Sequence, residues 1–520
     1  MTDAVGDNLE QDATPVPVRY WWLKRLGVAG IVFVLALGGL RVWWGWVGES
    51  RLQAKIAEYR AAGEPIALDY FAPPAVSDAE NGASFLTRAG ARLTKSRRGR
   101  TLLEYAWEGR WRRDHLTELR NFADENQQAL GLLHAASACE RADWNFRLSA
   151  AMPIFSLPNT DAQRELAGSA CVAALVFHES GEDRRAVETL CDMLAQARHV
   201  SRMAPNLLGH FAGTTIERRA LDVVESMAGS LRIGDESESA ERGAVDCLMR
   251  ALLDRAELDE SWRWCLQGER SGQLEMVLSF VARRKALFSV SGSAVGPWEH
   301  VSGLLFGPAW KLDAIRMLGR MTATIEAGTA TNWPVARGML PEDESGDQSG
   351  LFAIVQLMSS ILMPSLQRAT ELEYRLLASQ RMAATALAIR LYELDHGRRP
   401  GTLDELVPEY LTDVPRDPFD GGDGPLRYAP DAAPARLYSI GPDGVDDGGA
   451  FVLKSDGGVD EGIRDQVFFL EGERPRRAPQ AAPDEAPLFP TASEQAIHDG
   501  ADVQEAEGEQ KSADEHGKRQ

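Results

Sequence analysis

Residues Leu26 to Leu40 (LGVAGIVFVLALGGL) contain no charged side chain, and this run constrains the chain more than any other feature. Extended through Val42 to Val47, it reaches about the 20 apolar residues that a helix needs to cross a bilayer. Arg41 interrupts it near one end, where a long cationic side chain can snorkel to the headgroups. Trp21 and Trp22 precede the run, and Trp43, Trp44 and Trp46 follow it, as aromatic belts do at two membrane interfaces. A cleaved signal peptide would need a small-residue cleavage site, and VWWGWVGES is a poor one. The expectation is an uncleaved signal-anchor over 21–47, held by membrane lipid, behind a short cytoplasmic tail over 1–20. Arg19, Lys24 and Arg25 nearly balance Arg41, Arg51 and Lys55 across the span. Orientation therefore rests on the short tail staying in the cytoplasm, which puts the body outside. A second apolar stretch, LFAIVQLMSSILMP (351–364), is too short to span and ends at a proline, so it reads as a core helix.

The rest of the chain is long enough for about three domains, and 44% of its 520 residues are hydrophobic, enough for a sizeable core. A formal net charge of −21 repels phosphate, which sets nucleic acid aside as a partner. The one basic island, Lys95, Arg97, Arg98 and Arg100 followed by Arg110, Arg112 and Arg113, reads as a solvated helix face. The five cysteines, Cys139, Cys171, Cys191, Cys247 and Cys265, form no C-x-x-C pair, and their spacing fits neither zinc nor thioredoxin-like patterns. Their odd number leaves at least one thiol unpaired, while one or two disulfides stay open for a body outside the cytoplasm.

Helical patterns fill the body, 51–328. Ser77 with Glu80 suggests a capping box opening a helix through Leu93, and Leu102 to Ala138 suggests one or two more. Asp161–Phe177 and Arg184–Val200 read as a helical hairpin. Its Gly181 and Ala186 have a spacing that resembles a tetratricopeptide repeat, although a single unit does not make a solenoid. Further helices are expected over 207–228, 239–268, 272–288 and 309–327, then a linker or long loop over 329–350. A long helix follows over about 351–395, broken near Pro364, and short strands over 426–428, 436–440 and 466–470. The acidic tail, 472–520, has too few aromatics to fold and reads as disordered.

The search for catalytic motifs is mostly negative. There is no phosphate loop, dinucleotide fingerprint, H-E-x-x-H, G-x-S-x-G or S-x-x-K. His178-Glu179 lacks a second histidine at metal spacing and reads as a surface pair. Cys171 and His178 lie seven residues apart on one helix face, which suits core and rim residues better than a nucleophile and its base.

The informative segment is 385–470. Leu387, Leu391 and Leu394 run along a helix expected to end at His396-Gly397, and Thr402 with Glu405 caps a short helix carrying Leu403, Leu406 and Val407. Pro415 and Pro418 forbid further helix, and glycines at 421, 422, 424 and 441 mark turns between strands. Leu391 to Pro400, the Asp417-Pro418-Phe419 turn, the Tyr438 to Gly444 strand end and Gly448-Gly449 resemble, in order, the C-terminal half of the major pseudopilin of type II secretion systems. The whole chain also resembles large uncharacterised bacterial membrane-anchored proteins that end in this module, with GEPIALDYFAPPAVSDAENGASFL (63–86) as their early segment. The resemblance implies a small α+β fold over 351–471 and a bacterial inner membrane as the location. It does not imply assembly into a pseudopilus, because the anchor lies far upstream and no prepilin-peptidase site precedes it.

Asp443, Asp446 and Asp447 sit on a Gly-rich turn, with Asp465 just before the last strand. Calcium takes 6–8 oxygens, and the pseudopilin family binds it in the corresponding loop. Asp443 matches the family motif, Asp465 matches it loosely, and the other two have no firm counterpart. The alternative is a solvated turn, where Asp and Gly are common for conformational reasons alone. The chain is thus expected to be mainly α: an anchor, a helical body, a pseudopilin-like α+β module and a tail. The leading expected role is binding or scaffolding of protein partners on the body. The alternatives are accessory work in protein secretion and an enzyme with its site in the body. A polar pocket of converging Asp, Glu or His would favour the enzyme, and a flat or apolar face the scaffold.

Overall fold

The computed structural model describes residues 20–72, 76–94, 116–145, 157, 159–281, 297–341, 366–452 and 464–471. Among them are twelve α-helices and three short strands. The expectations for 351–364, 102–115 and 472–520 lie outside the described residues.

Helix α1, Trp21–Ala61, runs 41 residues without a break. Its first half carries the apolar run, and the best 18-residue window is 0% buried, so one helix is long and apolar enough to cross a membrane. Its second half changes character: Gly48, Leu52, Ile56 and Tyr59, at helical spacing, are buried. They pack on α10 (Pro297–Gly328), where a Cβ on Gly48 would stand 3.2 Å from the Pro308 carbonyl oxygen. Tyr59 Oη donates to the Leu318 carbonyl at 3.1 Å. Arg270, fully buried on α9 (Arg255–Val281), secures the chain where it leaves α1. It donates to Glu64 Oε2 at 2.6 Å and to the Pro65 carbonyl at 3.0 Å, and lies over the Tyr59 ring.

The body continues with α2 (Gly82–Arg92), α3 (Leu116–Glu125), α4 (Gln127–Ser137), α5 (Thr160–Glu179), α6 (Asp183–Ser201), α7 (Leu207–Met227) and α8 (Arg242–Leu252). The α5–α6 hairpin turns where expected, through Gly181 at φ 91°. Helix α2 opens later than Ser77 suggests. Ser77 does bond Glu80, but Asn81 is the cap, its side chain accepting from the Ala83 N–H. The expected 239–268 helix is two, α8 and α9, while the expected gap near 270 is absent because α9 runs straight through it. The expected loop after 329 contains α11 (Trp333–Met339), capped by Asn332 with a proline in its first turn.

Helix α12, Leu366–His396, is the central strut of the C-terminal part, with buried residues on every side from Leu366 to Tyr392. After it come a 3₁₀ turn over Leu403–Leu406 with the expected Thr402/Glu405 capping box, and an antiparallel sheet in the order β1 (Arg427–Ala429), β2 (Arg436–Ser439), β3 (Gln466–Phe469). The residues that carried the resemblance bond one another. Buried Asp417 accepts from Phe419 N at 2.9 Å, from Ser439 Oγ at 2.6 Å and from Ile440 N at 2.9 Å. This part is no appendage. Phe469 N donates to Glu225 Oε1 of α7 at 2.8 Å, and one apolar cluster runs from Leu86 and Leu190 through Leu387 to Leu437 and Leu470. The five cysteines are free thiols, and burial beside Cys247 pushes the Cys191 thiol up to about 12.

Candidate functional site

The four expected metal ligands do not converge. Asp443 Oδ1 accepts from Val445 N and Asp446 Oδ1 from Gly448 N, each closing a local turn in an exposed loop. Asp465 is buried, and both its oxygens are taken: one by the Gly449 N–H at 2.7 Å and one by the Asp447 N–H at 3.4 Å. Burial raises its carboxyl above the ordinary range, against those bonds. Asp447 bonds Asp465 through its backbone N–H, and the charges of Asp446 and Asp447 push the Asp465 carboxyl further up. Among the described residues no group of three or more His, Cys, Asp or Glu could hold a metal ion. Asp465 anchors the loop through its hydrogen bonds to the Gly449 and Asp447 backbone.

His178 is a buried residue and not the surface group its position suggested. Its Nδ1 meets Asp183 Oδ1 at 2.5 Å and its Nε2 meets Ser230 Oγ at 2.9 Å. Burial alone would raise the Asp183 carboxyl, but hydrogen bonds from His178 and Arg232 outweigh it and hold it below the usual range. This network ties the α5–α6 turn to the segment after α7.

A cavity of about 60 Å³ with mixed apolar and polar lining opens where α6, α7, α9 and α12 meet. Arg198, Asp254 and Glu257 stand at its mouth; Ser201, His210, Gly213 and Ser261 lie deeper. Each position has a local cause. Asn206 caps α7 and sets His210 in the first turn. Gly213 lets α6 approach, since a Cβ there would stand 2.5 Å from the Ala197 carbonyl oxygen. Asp254 Oδ1 accepts from Glu257 N and starts α9, which carries Ser261.

On the floor, His210 is fully buried and bonded at both ring nitrogens: Nε2 to Glu373 Oε1 of α12 at 2.7 Å, and Nδ1 to Ser261 Oγ at 3.2 Å. Ser261 also reaches Ser201 Oγ at 3.3 Å. Glu373 is buried, and its second oxygen has no hydrogen-bond partner. On one wall, half-buried Glu217 accepts from Gln380 Nε2 at 2.6 Å. Burial raises its carboxyl, with the nearby Glu373 adding to the effect. Polar groups in a concave site with a perturbed carboxyl are the usual marks of a binding site. None of these residues stood out in the sequence, since His210 and Glu373 lie 163 positions apart.

No family model, curated protein or solved structure matches the chain.

Proposed function

We propose that this is a single-pass protein of the bacterial inner membrane that holds its helical body outside the cytoplasm as a platform for binding partners. One observation carries the reading: α1 passes unbroken from the exposed apolar run into the core of the body. A signal peptide is removed, whereas here Leu52, Ile56 and Tyr59 belong to the same helix and to an apolar cluster with Trp262, Trp310 and Met317. The burial of α12 supports scaffolding over accessory work in secretion, because a pseudopilin-like helix covered by its own body has little surface left for assembling with copies. The test is fractionation. The full chain should stay with membranes through carbonate and high salt, external protease should reach the body in spheroplasts, and deletion of 21–47 should release it. Full-length chain in the soluble fraction would overturn the anchor, and a protected body would reverse the orientation.

A second reading, an enzyme or small-ligand site in the body, is favoured by the convergence of His210, Glu217 and Ser261 on one cavity, with Glu373 bonded to His210 behind it. Acetamide is a probe of suitable size, with both a donor and an acceptor. It should raise the melting temperature of the native protein and not that of Thr214→Trp, which fills the cavity. Equal shifts in both would remove this reading.

A further inference from the structure

The helices offer a comparison for Ser261. Hydroxyls inside helices usually turn back to the carbonyl four residues earlier. In this chain Ser169, Thr189, Ser226, Ser271, Thr324, Thr370 and Thr385 all do so, at 2.7–3.0 Å. Ser261, on the second turn of α9, instead donates to Ser201 Oγ at 3.3 Å and holds its oxygen 3.2 Å from His210 Nδ1, so rotation of the hydroxyl brings its one proton to the ring. His210 in turn lies between that hydroxyl and a buried carboxylate. A nucleophile within reach of a base, with the base oriented by a third group, is the arrangement that activates a serine. Here the ring is used in the reverse sense, with the hydroxyl on Nδ1 and the carboxylate on Nε2.

We propose that Ser261, His210 and Glu373 form an acyl-transfer centre for small esters or amides entering the Arg198 side of the cavity. This rests on the cavity being the working site of the body. Ser261 Oγ attacks the substrate carbonyl, forming the Oγ–acyl bond, and its proton passes to His210 Nδ1. The bond to the leaving group then breaks, and the leaving alcohol or amine takes that proton. Water, deprotonated by the same nitrogen, releases the acid and restores Ser261. Glu373 is a positioning residue: accepting from Nε2–H, it leaves the Nδ1 lone pair facing Ser261 and stabilises the imidazolium that forms. Arg198 is the one Lys or Arg lining the cavity, and supplies positive charge for the oxyanion. A cavity of about 60 Å³ limits the acyl group to a few heavy atoms.

The experiment treats the detergent-solubilised full chain with dimethyl fluorophosphate, maps the adduct by mass spectrometry and follows 4-nitrophenyl acetate turnover. One adduct is expected, on Ser261, absent from Ser261→Ala, with labelling at least 100-fold slower in His210→Gln at an unchanged melting temperature. Glu373→Gln should slow labelling at least tenfold and move the inflection of its pH profile downward, since the imidazolium loses its carboxylate. A purely structural Glu373 would leave that inflection in place. An unlabelled Ser261 in folded protein, or labelling indifferent to His210→Gln, would overturn the proposal. If acetamide still raised the melting temperature in that case, the cavity would stand as a binding site and only the chemistry would fall.

Discussion

Two carboxylates, one half-buried and one buried, show how position sets the sign of an ionisation. Glu217 has its carboxyl raised by burial, so the folded chain holds that proton more tightly than the unfolded chain does. The resulting stability is complete below the ordinary value of 4.5 and is lost as pH rises through the higher folded value. Asp183 is the opposite case, with His178 and Arg232 favouring its charge. Its contribution is present above the ordinary value of 3.8 and is lost as pH falls through the lower folded value. Melting curves from about pH 2 to 8 should therefore diverge. Glu217→Gln should stabilise at neutral pH, with the gain fading in acid, and Asp183→Asn should destabilise most at neutral pH. Parallel curves would show that neither environment acts as described. The wall of the cavity thus holds a carboxyl whose charged form the fold disfavours, as working sites commonly do.

At the scale of elements, much of the fold was legible, because helices and turns announce themselves locally. The α5–α6 hairpin, the Thr402/Glu405 capping box and the three strands stand within a few residues of where periodicity and turn residues put them. The misses have physical causes. Asp254 and Glu257 carry the capping spacing that starts α9 but lie inside an unbroken apolar pattern, and Asn332 with Pro334 opens α11 inside a loop-like composition. The expected gap between 268 and 272 is helical, and Gly268 is there because the Pro205 carbonyl passes where its Cβ would be. The cavity was illegible because it draws its lining from several helices far apart in sequence, a fact of packing and not of pattern. Packing makes its own forecast. Gly213→Ala gains about 0.5–1 kcal/mol of helix propensity but forces a methyl against the Ala197 oxygen and the Ser201 backbone. Overpacking costs roughly 1–3 kcal/mol, so the variant should lose stability in a denaturant melt. Gly272→Ala has nothing within 4 Å of the new methyl and should gain stability. A gain at both sites would mean that α6 and α7 are not in the contact described.

For the whole molecule, the unbroken α1 matters most. At about 1.5 Å per residue, its 41 residues make a rod of about 60 Å, part apolar and exposed and part packed in protein. A domain on a flexible linker samples every heading, and a partner must wait for the right one. With the apolar half seated in a bilayer, as proposed, the body would keep a nearly constant bearing to the bilayer normal, leaving rotation about that normal and drift in the plane. For two such proteins in one membrane, much of the rotational freedom that association ordinarily removes is already gone before they meet. The helix therefore acts as a compass needle as much as a tether, and weak contacts on the body should be strong enough in the membrane to hold partners that would not associate in solution.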